Sequence, residues 1–380
     1  MTQLVMHIGD PKTGTSSIQS ALQKGIVDCD GRRILPWKTA NAIPKAKCLL
    51  TNDKKQIAKH YTEVRDWLIG RDEDLAVLSA ESFVKVRPRK LQQTLCEYLP
   101  EHSERARVIA YVRPHSSRFL AAFIQRTKTG HLDIPIGEFL GRMIKEDRTL
   151  GYSRRFLEWR RVFGDSFSLH PFVPSELRNQ DIITDFYTEL LGDESFSISR
   201  PVAENVSVTT RALSGIVLMH RGLLKAGVRT GQQHEVGAYV ANHILPTGPV
   251  KGSKPKLDRE IAQILLTTYR KDARKLDEEF FSRPIMEENL ESSLQDVADE
   301  PVDLNPGTHF APSEQMELER LADEAAKTFL RDPKVCVLHF RYVRGERSLD
   351  LLEKTKLKMH GKMLGQLDAR LRELADILRG

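Results

Sequence analysis

Four short apolar runs, interleaved with helical patterns, constrain the fold of this chain more than any other feature. Residues 4–8 (LVMHI) and 75–79 (LAVLS) lack the polar alternation of a strand with one wet face. Residues 107–114 (RVIAYVRP) read the same way, and residues 166–172 (SFSLHPF) read as a fourth strand. Between them, helical spacing sets Ile18, Ala21 and Leu22 on one face of residues 15–23. It sets Phe156, Trp159 and Phe163 on one face of residues 151–164. Residues 114–128 and 182–191 also read as helices. Buried strands alternating with helices predict an α/β fold with a parallel sheet covered on both faces. Ligands of such sheets gather at the carboxyl ends of the strands. Residues 9–16, Glu81 and Arg113 stand there.

After about Asn205 the strand signals fade. Residues 209–226 and 257–281 read as helices, with a Gly/Pro/Lys-rich loop at 245–256 between them. Residues 289–312 are acidic and proline-bearing and read as a linker. Residues 313–330 are helical, and the chain ends in a long charged helix. The expected organisation is an α/β domain over 1–288, a linker over 289–312 and a helical C-terminal extension over 313–380.

Hydrophobic residues make up 40% of the chain, enough for a sizeable core. The net charge of +6 suits a polyanionic ligand but does not point to nucleic acid, because 52 acidic residues offset 58 basic ones. The 4 cysteines show no metal-ligand spacing and read as reduced thiols. No signal-peptide pattern is read before residue 4, and no apolar run approaches the roughly 18 residues of a membrane span. The expected location is the cytoplasm.

The segment HIGDPKTGTSSIQ, residues 7–19, nearly spells the phosphate-binding pattern G-x-x-x-x-G-K-[ST]. Gly9 and Gly14 keep the separation, and Ser16 holds the hydroxyl position. Thr15 takes the place of the lysine, and Lys12 lies inside the loop instead. An anion-binding turn needs glycines that let the backbone curl, inward N–H groups and a helix N-terminus behind them. The segment offers all three. The plainer reading is a capped strand–turn–helix with a solvated lysine. A second constellation, residues 111–130, places Arg113 at a strand end with Arg118, Arg126 and Lys128 along the following helix. Such a run is more often a solvated basic face.

Together the two segments resemble the PAPS-dependent sulfotransferases, and most closely their bacterial sulfotransferase-like members. In that superfamily a loop P-K-[ST]-G-[ST]-[ST] after the first strand holds the 5′-phosphate end of the donor, and PKTGTSS, residues 11–17, matches it throughout. A later strand ends in an arginine, followed eight residues on by a serine, and both bind the donor's 3′-phosphate. Arg113 supplies the first. Ala121 stands at the second, with Ser116 or Ser117 as substitutes earlier on the segment. LSAESF, FLEWRRVFG, LHPFVPSEL, DIITDFYTELLG and ENVSVTTRAL add looser texture over roughly residues 3–281.

The resemblance implies a P-loop-type sheet and transfer of a sulfuryl group from PAPS (3′-phosphoadenosine 5′-phosphosulfate) to a hydroxyl or amine. The acceptor, a carbohydrate, lipid or small molecule, stays unidentified. Pro11, Lys12, Thr13, Gly14, Thr15 and Ser16 would hold the 5′-phosphate, and Arg113 the 3′-phosphate. Lys12 would act on the leaving oxygen. Glu81 is the candidate base, with a surface carboxylate as its plainer reading. His115 is the weaker alternative, and His7 reads as a core histidine. The basic runs KGSKPK, residues 251–256, and VKVRPRK, residues 84–90, read as solvated faces. No metal is implied. The rival readings are a P-loop kinase or nucleotide-binding protein, and a non-catalytic protein that retains the fold.

Leu357, Leu364, Leu367, Leu371, Leu374 and Leu378 fall on an a/d heptad seam near the C-terminus. The seam either packs on the protein's own body or joins two copies.

Overall fold

The structure, a computed structural model, describes residues 2–146, 149–199, 208–345 and 349–380. The chain groups into two compact units that interleave along the sequence. One comprises Met1–Arg118, Arg148–Val202 and Leu265–Ser292; the other comprises Phe119–Asp147, Ala203–Ile264 and Ser293–Gly380. Residues 204–207 of the ENVSVTTRAL stretch lie outside the described residues.

The first unit holds every strand found among the described residues: β1 (Gln3–His7), β2 (Val27–Asp28), β3 (Ile34–Pro36), β4 (Leu75–Ser79), β5 (Arg107–Val112), β6 (Phe167–Pro171) and β7 (Ser197–Ile198). Five of them form a parallel sheet in the order β3-β4-β1-β5-β6. β2 and β7 pair separately and antiparallel. The fold class is thus the expected one, a parallel sheet flanked by helices, with further helices C-terminal to it.

The apolar runs are continuous because both faces of the sheet are covered. On one face Val5, Val77, Ile109 and Tyr111 pack with Ile18 and Leu22 of the Thr15–Lys24 helix and with Ile183, Phe186 and Leu190 of the Ile182–Leu191 helix. The alternate positions Leu4, Met6, Leu78, Val108 and Ala110 are also fully buried. Each buried Val, Leu or Met side chain among them contributes about 1.5–3 kcal/mol by leaving water. Edge strand β3 is short, and Pro36 in it lacks the N–H that a central strand would need.

The second unit is helical. Its core joins Leu213, Ile216 and Leu223 of the Thr210–Lys225 helix to Leu318, Leu321 and Phe329 of the Pro312–Phe329 helix. Leu364, Leu367, Leu371, Leu374 and Leu378 of the Gly361–Arg379 helix complete it. Those five seam leucines are at most 5% exposed, and Leu357 is partly buried against the same core. The heptad seam therefore packs on the chain's own body. The stretch 289–312 begins within the Ile285–Ser292 helix and includes a short helix at Pro306–His309. Leu290 and Phe310 in it are buried. Among the described residues, no helix is long and apolar enough to cross a membrane.

Candidate functional site

β1 lies between β4 and β5, so the loop leaving β1 shares one edge of the sheet with the ends of both neighbours. This is the topological switch point, where open α/β sheets bind ligands. Backbone bonds tie the strand end and loop to both sides. The Ile8 N–H donates to Ile109 O at 3.0 Å and the Asp10 N–H to Tyr111 O at 3.1 Å, while the Ala80 N–H donates to His7 O at 3.1 Å.

The loop then curls. Lys12 has φ +71° and Gly14 φ +77°, both in the left-handed region. A β-carbon at Gly14 would stand 2.8 Å from Ile182 Cγ1, and one at Gly9 would stand 2.7 Å from Thr15 Oγ1. Only glycine leaves those spaces open. Gly14 is the N-cap of the Thr15–Lys24 helix, and no side chain caps that terminus. Its leading N–H groups and positive dipole end are thus offered to an anion. The Thr15 hydroxyl is buried without a hydrogen-bond partner, and the Thr13 hydroxyl donates to Asp10 O at 2.6 Å.

Charge surrounds the curl. Asp10 is 1% exposed and accepts from Arg118 Nε at 3.0 Å and from Arg155 Nη2 at 2.9 Å. One buried carboxylate therefore pins the loop to residues that follow β5 and to the Tyr152–Phe163 helix. Arg113, just past β5, donates through Nη1 to Lys12 O and through Nε to Ser117 Oγ, each at 3.2 Å. Its guanidinium lies 5.7 Å from the Phe172 ring centre. Burial holds the pKa of Arg113 below its usual value, and Arg118 adds to that.

Lys12 and Glu81 feel one another across this space. The Lys12 pKa is lowered by desolvation, with Arg118 and Arg113 lowering it further and Glu81 opposing them. The Glu81 carboxyl is raised by burial and, less strongly, by Asp10, while Lys12, Arg118 and Lys85 pull it down. A lysine in this setting is a proton donor matched to a developing oxyanion. A carboxylate in it takes protons more readily than one in water.

Lys12, Glu81 and Arg113 are thus brought together at three adjacent strand ends. Pro11, Thr13, Gly14, Thr15 and Ser16 form the turn and helix start between them. Ser117 touches Arg113, and Ala121 lies one helical turn further along the His115–Lys128 helix. His115 is fully buried, with Nε2 3.1 Å from Asp272 Oδ2 and its ring stacked on Tyr269. It is engaged in packing the unit. His7 is a core histidine as expected. Burial lowers its pKa to about 3, and Nδ1 meets Ser79 Oγ at 2.8 Å. Within KGSKPK, Lys256 pairs with Asp296, and in VKVRPRK Lys85, Arg87 and Arg89 are exposed.

Sequence reasoning missed Asp10 and Arg155 and read Arg118 as part of a solvated face. Arg118 is 7% exposed. The available signal was a lone acid inside an anion-binding loop, which requires cationic partners if it is buried. No family model, curated protein or solved structure matches this chain. Among the described residues, no group of three or more His, Cys, Asp or Glu side chains converges as a metal site.

Proposed function

We propose that the first unit is a sulfotransferase domain that moves the sulfuryl group of PAPS to a hydroxyl or amine of a small-molecule or glycan acceptor. One observation carries this reading. The PKTGTSS loop, with its buried and unpartnered Thr15 hydroxyl, lies between Glu81 on one neighbouring strand end and Arg113 on the other.

The residues fit the donor. The open spaces at Gly9 and Gly14 and the uncapped helix terminus suit a 5′-phosphate. Arg113, steadied by Lys12 O and Ser117, suits the 3′-phosphate through a planar, charge-assisted contact. The cations Lys12, Arg113, Arg118 and Arg155 outnumber the carboxylates Asp10 and Glu81, leaving positive charge for a polyanion.

In the proposed reaction the acceptor oxygen or nitrogen forms a bond to sulfur as the bond from sulfur to the bridging oxygen breaks. The electron pair goes to that oxygen, and adenosine 3′,5′-bisphosphate leaves. Lys12 donates a proton-bearing hydrogen bond to the leaving oxygen, and Glu81 takes the proton from the acceptor. Positioning and charge stabilisation supply the catalysis, as in phosphoryl transfer. This reading has one catalytic unit per chain. A homodimer through the C-terminal helix would require the seam leucines to leave their own core.

Calorimetry with adenosine 3′,5′-bisphosphate and adenosine 5′-monophosphate tests it. A hydrogen bond to a charged group contributes about 1.5–3 kcal/mol, roughly 10- to 150-fold in affinity. Arg113→Ala should weaken the bisphosphate by that factor and the monophosphate far less. Absence of bisphosphate binding to the unaltered chain, or equal loss for both ligands in the variant, refutes the reading.

A further inference from the structure

In the second unit, the Leu351–Met359 helix turns its apolar side chains to water. Leu351 is 80% exposed, Leu352 81% and Met359 79%, which makes them the most exposed large apolar side chains among the described residues. Helical geometry puts them together. At roughly 100° per residue, Leu351, Thr355, Met359 and Leu352 fall within about 100° of arc. Thr355 does not break the stripe, because its hydroxyl donates back to Leu351 O at 2.9 Å. Lys354 and Lys358 run along one border of the stripe and Lys356 along the other, and all three are exposed. Glu353 and Leu357 lie on the opposite side of the helix.

The helix is held against rolling the stripe inward. Leu357 packs on the second unit's core, and the C-cap His360 has Nε2 3.7 Å from Asp332 Oδ2. A capping box fixes the start: the Glu353 N–H donates to Asp350 Oδ1 at 2.8 Å, and the Asp350 N–H to Glu353 Oε2 at 3.3 Å. The inward side is thus committed to the body, and the apolar side is committed to the outside. An exposed apolar stripe with a polar rim marks an interaction surface.

The borders indicate what covers it. A second copy of the helix fits poorly. Run parallel or antiparallel, the pair would set lysine against lysine along both borders, and facing like charges oppose association. An anionic lipid surface suits both parts of the pattern. Apolar side chains on one face enter the boundary between headgroups and acyl chains, and lysines beside them lay their stems along it and carry the ammonium groups to the headgroups. We propose that the Leu351–Met359 helix docks the second unit on an anionic lipid surface, lying in its plane. Leu351, Leu352 and Met359 enter the boundary, and Lys354, Lys356 and Lys358 meet the lipid headgroups. This docking is independent of the reaction assigned to the first unit.

The test sediments the full chain with vesicles of phosphatidylcholine alone and of phosphatidylcholine mixed equally with phosphatidylglycerol, at low ionic strength. The chain should bind the mixed vesicles and bind the neutral ones far more weakly. Leu351→Ser, Leu352→Ser and Met359→Ser together should lower partitioning at least about tenfold, because the apolar surface that leaves water is gone. Lys354→Gln, Lys356→Gln and Lys358→Gln together should lower it by about fivefold for each lysine. Lys54→Gln, Lys55→Gln and Lys59→Gln make the same charge change on an exposed helix face of the first unit and should cost far less. Circular dichroism should match the parent for every variant, since all the replaced side chains are exposed. The proposal is overturned by absence of binding to the mixed vesicles, by equal binding to the neutral ones, by parental binding of the serine variant, or by equal losses from the two lysine sets. It is also overturned if light scattering shows a dimeric parent and a monomeric serine variant, because the face then belongs to a second copy.

Discussion

Replacing Asp10 with alanine would leave two guanidiniums facing a hole. The Arg118 side chain is 9% exposed and that of Arg155 18%, so neither rehydrates fully when the carboxylate goes. Removing one partner of a buried ion pair typically costs about 3–5 kcal/mol, because the remaining charge stays uncompensated. Arg155 keeps some solvent access and also lies over the Phe156 ring at 4.9 Å, which places the expected loss at the lower end, about 3 kcal/mol. The measurement is direct, because Trp37, Trp67 and Trp159 all belong to the first unit. Tryptophan fluorescence during urea denaturation therefore reports that unit's unfolding without interference from the other. Asp10→Asn should cost less, since an amide oxygen can still accept from one arginine. Asp10→Ala combined with Arg118→Met should recover part of the loss, because only Arg155 then stands without its carboxylate. A single Asp10→Ala variant within about 1 kcal/mol of the parent would refute the claim that this carboxylate pins the loop. So would a double variant that is less stable than the single one.

Lys12→Ala should lower sulfuryl turnover by on the order of 10²–10³, the usual effect of removing one preorganised donor; near-parental turnover would remove Lys12 from the chemistry. Glu81 works as a base only when ionised, and its raised pKa places the acidic limb of the rate profile above that of an ordinary glutamate. Glu81→Gln should abolish that limb and lower the rate by about 10²–10⁴, and an intact limb would exclude Glu81. The same raised pKa favours the folded state when Glu81 is protonated, and this contribution is lost as pH rises through the folded value, so Glu81→Gln should be more stable than the parent at neutral pH by urea denaturation. A chain ending at Pro312 should lose the second unit's fold, visible as lost helical signal and aggregation in light scattering, because the seam leucines fill that core; a well-folded monomer would show that the helices beyond Pro312 are dispensable.

Much of the first unit was legible because its signals are local. β1, β4 and β5 are runs whose burial on both faces forbids polar alternation, so five or six residues suffice to mark them, while edge strand β6 shows itself by alternating buried Phe167 and Leu169 with half-buried Ser168 and His170. The Thr15–Lys24 helix announces itself by Ile18, Ala21 and Leu22 at helical spacing behind a glycine. β3 was not legible. It is three residues long and contains a proline, and it is a strand only because β4 lies beside it. Arg118 was misread for a related reason. On a helix wheel it is one more cation beside Arg126 and Lys128, and nothing in its neighbourhood along the chain reveals that a carboxylate 108 residues away is buried against it. Arg155 follows another arginine in sequence, and which of the two turns inward depends on where Asp10 sits. The C-terminal seam was legible as a seam but not in its partner. A leucine stripe specifies an apolar surface to cover, and the covering helices, Thr210–Lys225 and Pro312–Phe329, are separated from it in sequence by other helices.

The candidate site depends on both kinds of information, and they carry different weight. The loop motif alone is compatible with any anion, since its glycines and helix terminus describe a cradle without a direction. Direction comes from strand order. With β1 between β4 and β5, the cradle acquires a half-buried carboxyl on one side and a guanidinium on the other, and neither lies near it in sequence. If β5 and β6 exchanged places, the same sequence motif would face a different strand end, and Arg113 would no longer reach Lys12 O. A sulfuryl donor with phosphates at both ends of its nucleoside needs two anion sites held at a fixed separation, and it needs a proton acceptor beyond the first. Hydrogen bonds from Ile8 and Asp10 to β5 and from Ala80 to β1 fix the loop against both neighbours, whatever ligand it takes. Preorganisation of this kind is what allows a charge to stabilise a transition state without first being moved into place.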